Sequence, residues 1–96
     1  MSDVRFAIVG CGLIGQKRSA AISRLGHRTM LAIDRSRARA VELAEPVGAR
    51  VATDFRAVVE AEDIHASVVA IPHAELSAIA IACLEVGKHV LAEKPG

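Results

Sequence analysis

The sequence predicts a doubly wound α/β domain, in which helices cover both faces of a parallel sheet. Three observations support this fold class. Short apolar runs alternate with segments of helical periodicity. Hydrophobic residues make up 52% of the chain, yet Trp and Tyr are absent, so the core must consist mainly of aliphatic side chains, as in a buried parallel sheet. The 96 residues suffice for a single core, so we interpret residues 1–96 as one domain.

The first three elements surround a glycine-rich turn. Phe6–Val9 is an uninterrupted apolar run, as expected for a buried strand. Leu13–Leu25 has apolar residues at helical spacing, and Gly26 ends this helix because glycine readily adopts the left-handed conformation of a C-cap. Thr29–Ile33 predicts the second strand.

The remaining elements alternate in the same way and leave little spare length. They are a helix capped by Ser36 and ended after Ala44 by Pro46 and Gly48, a strand at Arg50–Ala52, a brief helix through Glu60 capped by Thr53 or Asp54, a strand at Ser67–Ile71, a helix at Ala74–Val86 closed by Gly87, and a strand at His89–Ala92. Right-handed crossovers between these strands predict a five-stranded sheet in the order 3-2-1-4-5.

The run Gly10-Cys11-Gly12-Leu13-Ile14-Gly15 follows the first strand directly. Gly10 suits the tight turn, Gly12 lets backbone approach a pyrophosphate, and Gly15 lets the next helix pack closely on the strand. Asp34 lies nineteen residues after Gly15, where an acid can accept the hydroxyls of an adenosine ribose. The pattern predicts a Rossmann dinucleotide site, with all six residues of the run and Asp34 as cofactor-binding residues.

The choice of cofactor depends on Asp34 and its neighbour. A carboxylate favours NAD, because it accepts a hydrogen bond from the ribose 2′-hydroxyl and repels a 2′-phosphate. Arg35 stands where a 2′-phosphate would lie, so NADP stays open as an alternative cofactor. Asp34 could instead serve only to cap the next helix, although Ser36 already suits that role.

The nicotinamide end of the cofactor is expected to lie where the strand order of the sheet reverses, between the first and fourth strands. The fourth strand leads into Ile71, Pro72 and His73, and the fifth into Glu93 and Lys94. We therefore predict that these five residues also contact the cofactor. Two alternatives without a role in cofactor binding remain. His73 could cap the helix that follows it, and Lys94 could be an ordinary solvent-exposed lysine.

These residues resemble the glucose–fructose oxidoreductase and inositol dehydrogenase family (Gfo/Idh/MocA). The resemblance covers the whole chain and is most specific in the run GKHVLAEKP, residues 87–95. It implies that Lys94 is catalytic and contacts a substrate hydroxyl near the nicotinamide. It also implies a second, sheet-rich domain that supplies a catalytic His, an Asp and most of the substrate pocket. On this resemblance we expect the chain to correspond to the first domain only, without that second domain and without a sixth strand of the fold.

The sequence departs from the family pattern at three positions. Leu76 and His73 stand where the family commonly has His and Asn, respectively, and Arg18 stands where His is frequent. Arg18 shares a helical face with apolar residues, which predicts a snorkelling stem with its head near the glycine loop. A contact between Arg18 and the pyrophosphate is the alternative.

Composition excludes several functional classes. The net charge is +1 with no basic block, which argues against a nucleic-acid partner. No apolar run approaches the roughly twenty residues of a membrane span, and the N-terminus lacks the features of a signal peptide, so we expect a cytoplasmic protein. His27, His65 and His89 have no partners at ligand spacing, so we predict no metal site.

The two cysteines, Cys11 and Cys83, are expected to be unpaired. Cys83 falls on the apolar stripe of a later helix and predicts a small buried side chain. Cys11 lies at a helix N-terminus, where a thiol pKa can be lowered, but no second cysteine at CxxC spacing supports a redox role.

Together these observations predict the nucleotide-binding part of a nicotinamide-dependent oxidoreductase, with a sugar or polyol as substrate in the full-length context. Such a domain is expected to be incomplete alone. A separately encoded second domain or a homo-oligomer would cover the apolar surface that the missing domain leaves exposed. Two alternatives remain open. One is a non-catalytic nucleotide-binding or regulatory module, and the other is a truncated product.

Overall fold

The computed structural model describes residues 4–71 and 73–93, with only the backbone described for His73 and Ala74. The strands are β1 (Arg5–Val9), β2 (Arg28–Ile33), β3 (Arg50–Ala52), β4 (Ala66–Val69) and β5 (His89–Ala92). The helices are α1 (Leu13–Arg24), α2 (Arg37–Ala44), α3 (Arg56–Glu60) and α4 (His73–Glu85), with a 3₁₀ turn at Glu45–Val47.

All five strands are parallel and form one sheet in the order β3-β2-β1-β4-β5. This confirms the predicted fold class and strand order. The pairing register aligns the last residues of the strands in one row: Ala52, Ile33, Val9, Val69 and Ala92. The segments that leave the strands therefore all emerge along the same edge, which we call the carboxyl edge.

The sheet separates two hydrophobic cores, because successive residues of a strand point to opposite faces. On one face, Ala7 and Val9 of β1 pack with residues of α3 and α4, such as Val58 and Ile79. On the other face, Ile8 packs with residues of α1 and α2. Alternation along a single buried strand thus fills both layers of the predicted doubly wound fold.

Several element bounds differ from those predicted. β4 covers Ala66–Val69 and not Ser67–Ile71. The Ala70 N–H still donates to Val9 O (2.8 Å), but the chain then turns toward α4. At α3 the helix begins at Arg56, after Phe55, and neither Thr53 nor Asp54 is its N-cap residue. Asp54 instead accepts the Arg56 N–H at 2.9 Å in the preceding turn.

The predicted helix ends were within one residue of those observed. α1 ends at Arg24, one residue earlier than predicted, because Leu25 leaves the helical region and Gly26 adopts φ +82°. α4 covers His73–Glu85 in place of Ala74–Val86. Ser36 caps α2 as predicted, since its hydroxyl accepts the Arg39 N–H. Within the described residues, no helix has the length and apolar character needed to cross a membrane.

Candidate dinucleotide site

The residues that follow the strands extend the hydrogen-bond ladder by one step at the carboxyl edge. Gly10 N–H donates to Ile33 O at 2.8 Å, Asp34 N–H to Ala52 O at 3.2 Å, and Glu93 N–H to Val69 O at 2.9 Å. Gly10, Asp34 and Glu93 come from distant parts of the sequence. The parallel sheet therefore places them along one edge, as the sequence predicted.

The three glycines of the loop have different surroundings. Gly10 has φ +95°, and a Cβ there would collide with the carbonyl oxygen of Ala70. A Cβ on Gly15 would collide with the carbonyl oxygen of Gly10 and lie 3.1 Å from Ile8 Cγ2, so glycine allows α1 to pack on β1. A Cβ on Gly12 would meet no atom within 4 Å, so the backbone there is open to a ligand.

Gly12 is also the N-cap residue of α1, and as a glycine it has no side chain to accept the first N–H groups of the helix. The first N–H groups of a helix have no intrahelical acceptor and form the positive end of its dipole. An open glycine at this position therefore offers both space and hydrogen-bond donors to an anionic group such as a pyrophosphate.

Asp34 is held in place by backbone N–H groups on both sides. Its Oδ2 accepts the N–H of Cys11 at 2.8 Å, and its Oδ1 accepts the N–H of Ser36 at 2.8 Å. The carboxylate thus joins the end of β2 to the glycine loop and also shapes the turn before α2. A carboxylate has about four acceptor positions, so each oxygen retains capacity for a ribose hydroxyl.

Cys11 belongs to the glycine loop, and its side chain is fully buried. Its thiol lies 3.4 Å from Ile33 O, and its backbone N–H donates to Asp34. Burial, followed by the negative charge of Asp34, raises the pKa of the Cys11 thiol to about 12. The lowered pKa considered from its place at a helix N-terminus is therefore wrong, because desolvation of the thiolate outweighs the helix dipole.

A cleft of about 250 Å³ lies at the carboxyl edge beside Asp34. Its lining includes five predicted residues: Gly10, Gly12, Asp34, Arg35 and Ile71. It also includes four residues that were not predicted to bind the cofactor: Arg39, Phe55, Ala70 and Glu75.

Arg35 is held at the rim of this cleft by two contacts from other elements. Its guanidinium forms an ion pair with Glu75 of α4 and lies 5.4 Å from the ring centroid of Phe55. Phe55 and Glu75 were missed because their contacts with Arg35 span twenty residues or more of sequence. The only sequence cues were that Phe55 is one of two aromatic residues and that Glu75 lies in the first turn of a helix.

The other predicted cofactor residues differ in how far the structure describes them. Leu13 is 68% exposed at the start of α1, and Ile14 is half-buried behind it. Pro72 and Lys94 lie outside the described residues, as does the side chain of His73.

Glu93 lies at the end of β5 and forms a two-point ion pair with Arg18 of α1. Arg18 Nε lies 2.8 Å from Glu93 Oε1, and a second bond joins Nη2 to Oε2 at 3.1 Å. The hydrogen bonds to Glu93 raise the pKa of Arg18 above its usual value. The sequence predicted a snorkelling Arg18 whose head lies near the glycine loop; in the structure its guanidinium pairs with the Glu93 carboxylate at the end of β5.

Two histidines and the second cysteine have structural roles. Nδ1 of His27 accepts the Val4 N–H at 3.0 Å, and Nδ1 of His65 accepts the Arg5 N–H at 3.2 Å. Cys83 is fully buried in the core, as predicted, and is unpaired, as is Cys11. A second cleft of about 220 Å³, between α1 and α2, is lined by Leu43 and Pro46 among others and lies away from the carboxyl edge.

Comparison with known proteins agrees with this geometry. A family model described as an oxidoreductase family with an NAD-binding Rossmann fold matches residues 4–96. Inositol 2-dehydrogenase of Rhodococcus erythropolis is 40% identical to this chain over 96 residues. That alignment covers 97% of this chain and 28% of the relative, so the chain spans little more than a quarter of the relative's length.

Solved structures are similar over nearly the whole chain. A myo-inositol dehydrogenase from Corynebacterium glutamicum matches with a TM-score of 0.89 at 27% identity, covering 98% of this chain and 28% of that protein. The WlbA dehydrogenase from Chromobacterium violaceum, in complex with NADH and UDP-GlcNAcA, matches with a TM-score of 0.88 at 27% identity, covering 97% of this chain and 28% of that protein.

Proposed function

Because this chain belongs to the Gfo/Idh/MocA oxidoreductase family and corresponds to its NAD-binding Rossmann domain, we propose that the cleft beside Asp34 binds NAD(H) as part of a sugar or polyol dehydrogenase. The observation that carries this proposal is the link between Asp34 and the glycine loop. Asp34 Oδ2 accepts the Cys11 N–H, which brings an acceptor for ribose hydroxyls beside the open backbone of Gly12.

In this proposal, the adenosine ribose donates its hydroxyls to Asp34 and the pyrophosphate lies against Gly12 and the first turn of α1. NAD(H) is favoured over NADP(H), because a 2′-phosphate would be repelled by Asp34. The positive charge of Arg35 is already offset by Glu75, which weakens its attraction for a 2′-phosphate. Arg39 also lines the cleft. If NADP(H) binds as well, Arg39 is the cation that would attract its 2′-phosphate.

The nicotinamide half of the cofactor extends toward the ends of β4 and β5. When bound there, the cofactor supplies hydride exchange with a substrate carbon. We propose that Lys94, which directly follows Glu93, orients the reacting hydroxyl of a sugar or polyol. The general base and most of the substrate pocket would come from a further domain or a partner chain.

Exposed apolar side chains support a partner surface beside β5. Ile81 and Leu84, three residues apart on α4, are more than half exposed. Leu91 of the edge strand β5 is also more than half exposed, on the opposite face of the sheet from its neighbour Val90, which packs on the α4 side. Large apolar side chains left exposed on a helix or an edge strand are typical of surfaces that a partner covers. We propose that a second domain or another copy of the chain covers them, and that the assembly works in the cytoplasm, where the buried free thiols of Cys11 and Cys83 would persist.

Titration of the purified chain with NADH tests the proposal, with fluorescence as the measurement because the chain has no Trp to interfere. Gly12→Val places a branched side chain where the pyrophosphate must approach, so NADH affinity should fall by about a hundredfold, or roughly 2.7 kcal/mol. Ser23→Val, on the exposed end of α1, is the matched control and should bind like the wild type. Equal NADH affinity in Gly12→Val and the wild type would contradict the proposed site.

A further inference from the structure

The Arg18–Glu93 pair connects the helix after the glycine loop with the strand end next to Lys94. α1 begins at the loop, and Arg18 lies about one turn into it, whereas Glu93 directly follows β5. The two donor–acceptor contacts, at 2.8 and 3.1 Å, fix the orientation of both side chains. Glu93 is 17% exposed and Arg18 45% exposed, so the carboxylate is the more enclosed partner.

The strand order determines which half of a dinucleotide reaches this pair. Asp34 follows β2, on one side of β1, and Glu93 follows β5, beyond β4 on the other side. Neighbouring strands are about 4.8 Å apart, which separates the ends of β2 and β5 by about 14 Å. An elongated ligand with its adenosine at Asp34 and its pyrophosphate at Gly12 therefore directs its opposite end toward Glu93.

A lone carboxylate at that end would distinguish between the two redox forms of the cofactor. The nicotinamide ring is cationic in NAD⁺ and neutral in NADH, so an uncompensated negative charge would favour NAD⁺. The guanidinium of Arg18 offsets this charge. Because each Glu93 oxygen accepts one bond from Arg18, each also retains a lone pair for a ribose hydroxyl or the carboxamide.

We propose that Arg18 is a positioning residue for the nicotinamide half of the cofactor. It orients the Glu93 carboxylate as a hydrogen-bond acceptor and neutralises its charge, so that the oxidised and reduced cofactors bind with similar affinity. This inference rests on the proposed binding of NAD(H) in the cleft.

Calorimetric titration of the full chain with NAD⁺, NADH and ADP-ribose tests the proposal, since ADP-ribose lacks the nicotinamide. Arg18→Met should shift the affinity ratio toward NAD⁺ by about three- to tenfold, and Glu93→Gln should shift it toward NADH by a similar factor. ADP-ribose affinity should stay within about twofold of the wild type in both variants. Arg18→Lys keeps the charge and should keep the ratio.

Arg24→Met is the matched control, because it removes the same charge from the exposed last turn of α1, about 9 Å farther along the helix. It should leave the ratio unchanged. Loss of a purely structural contact would weaken all three ligands together or shift both variants in one direction, and either result would overturn the proposal. If both variants bind ADP-ribose as tightly as the unmodified chain and neither changes the ratio of NAD⁺ to NADH affinity, this inference alone is refuted. If the unmodified chain binds none of the three ligands, the proposed function is refuted as well.

Discussion

The two halves of the carboxyl edge are held together in different ways. On the β2 side, Asp34 is fixed by the backbone N–H groups of Cys11 and Ser36, and the Cys11 side chain is fully buried. On the β5 side, the described contacts of Glu93 are one backbone hydrogen bond and one ion pair with Arg18 at the surface. β5 is also the edge strand of the described sheet, and Leu91 on it is 51% exposed.

This difference indicates that the β2 side, where we propose that the adenosine binds (the adenosine side), is organised by backbone contacts. The β5 side, proposed for the nicotinamide (the nicotinamide side), is held among the described residues largely by side-chain contacts. Backbone donors and glycine contacts belong to the fold itself and are present whenever the sheet forms. Side-chain pairs at an exposed strand end are weaker and depend on what covers them. Binding of cofactor and turnover of substrate should therefore separate in experiments on this chain.

The largest expected effect is that the chain binds the cofactor but does not oxidise a substrate. The chain should bind NADH yet produce none from NAD⁺ and a panel of polyols and sugars. Positioning of a substrate against a cofactor can lower a barrier by about 7–11 kcal/mol, and we propose that a further domain or a partner chain supplies that positioning. Absorbance at high protein concentration is the measurement. Robust turnover by the chain that Lys94→Ala abolishes would contradict this expectation, because it would mean that the chain alone forms a complete active site.

Gly10→Ala should greatly destabilise the adenosine side. An L-residue at φ +95° is strained, and its Cβ would collide with the backbone of Ala70, which cannot easily move. We expect a loss of about 3 kcal/mol or more in unfolding free energy. Gly26→Ala is the matched control, since Gly26 has φ +82° but open surroundings, and should lose only about 1–2 kcal/mol. Circular dichroism melting measures both, and equal losses would mean that the Ala70 contact is unimportant.

Cofactor preference tests the Asp34 network directly. NADH should bind at least about tenfold more tightly than NADPH, a difference of roughly 1.4 kcal/mol. Asp34→Ala should narrow this gap, because it removes both the ribose acceptor and the charge that repels a 2′-phosphate. Calorimetry with both cofactors is the measurement. Tighter NADPH binding by the wild type would show that Arg35 and Arg39 dominate the cleft.

The smallest effect concerns an ion pair distant from either half of the site. Arg50 donates two hydrogen bonds to Asp63, at 2.7 and 2.9 Å, and these bonds lower the pKa of Asp63 to about 2. A lowered carboxyl pKa stabilises the fold above the unfolded-state pKa of about 4. That contribution disappears as pH falls toward 2.

Asp63→Asn should therefore cost about 1 kcal/mol or less at pH 7, given how far the pair is exposed to solvent. The difference from the wild type should shrink between pH 4 and pH 2, as urea unfolding at several pH values would show. Glu85→Gln, at an exposed position of α4, is the control. Cofactor affinity should be unchanged in Asp63→Asn, and a change would mean that the site is coupled to this distant pair.

Much of the adenosine side could be predicted because its determinants are local. Gly10, Gly12 and Gly15 each occur where the backbone needs a turn, an open approach or a close contact, and such needs recur at fixed spacing. Asp34 was predicted as the ribose acceptor from its position nineteen residues after Gly15. That Asp34 accepts hydrogen bonds both from the glycine loop and from the turn before α2 was not foreseen, since the sequence presented a cofactor role and a capping role as alternatives.

The contacts of Arg18 and Arg35 could not be predicted in the same way. Arg18 meets Glu93 across 75 positions, and Arg35 meets Glu75 across 40. Long, flexible cationic side chains reach whichever carboxylate the fold brings near, and helical periodicity gives only the face from which they start. The buried state of Cys11 likewise depends on how α1 and α2 cover the sheet.

The sequence by itself determined the order of strands and helices, the parallel sheet and the glycine turn, because backbone conformation and apolar periodicity are written in neighbouring residues. Only the tertiary structure decided which charges meet at the cleft, that the Cys11 thiol has a raised pKa, and that Glu93 is tied to α1. Those properties depend on distances between segments far apart in sequence. Electrostatic energy and desolvation change steeply with such distances, and they are set when the layers pack.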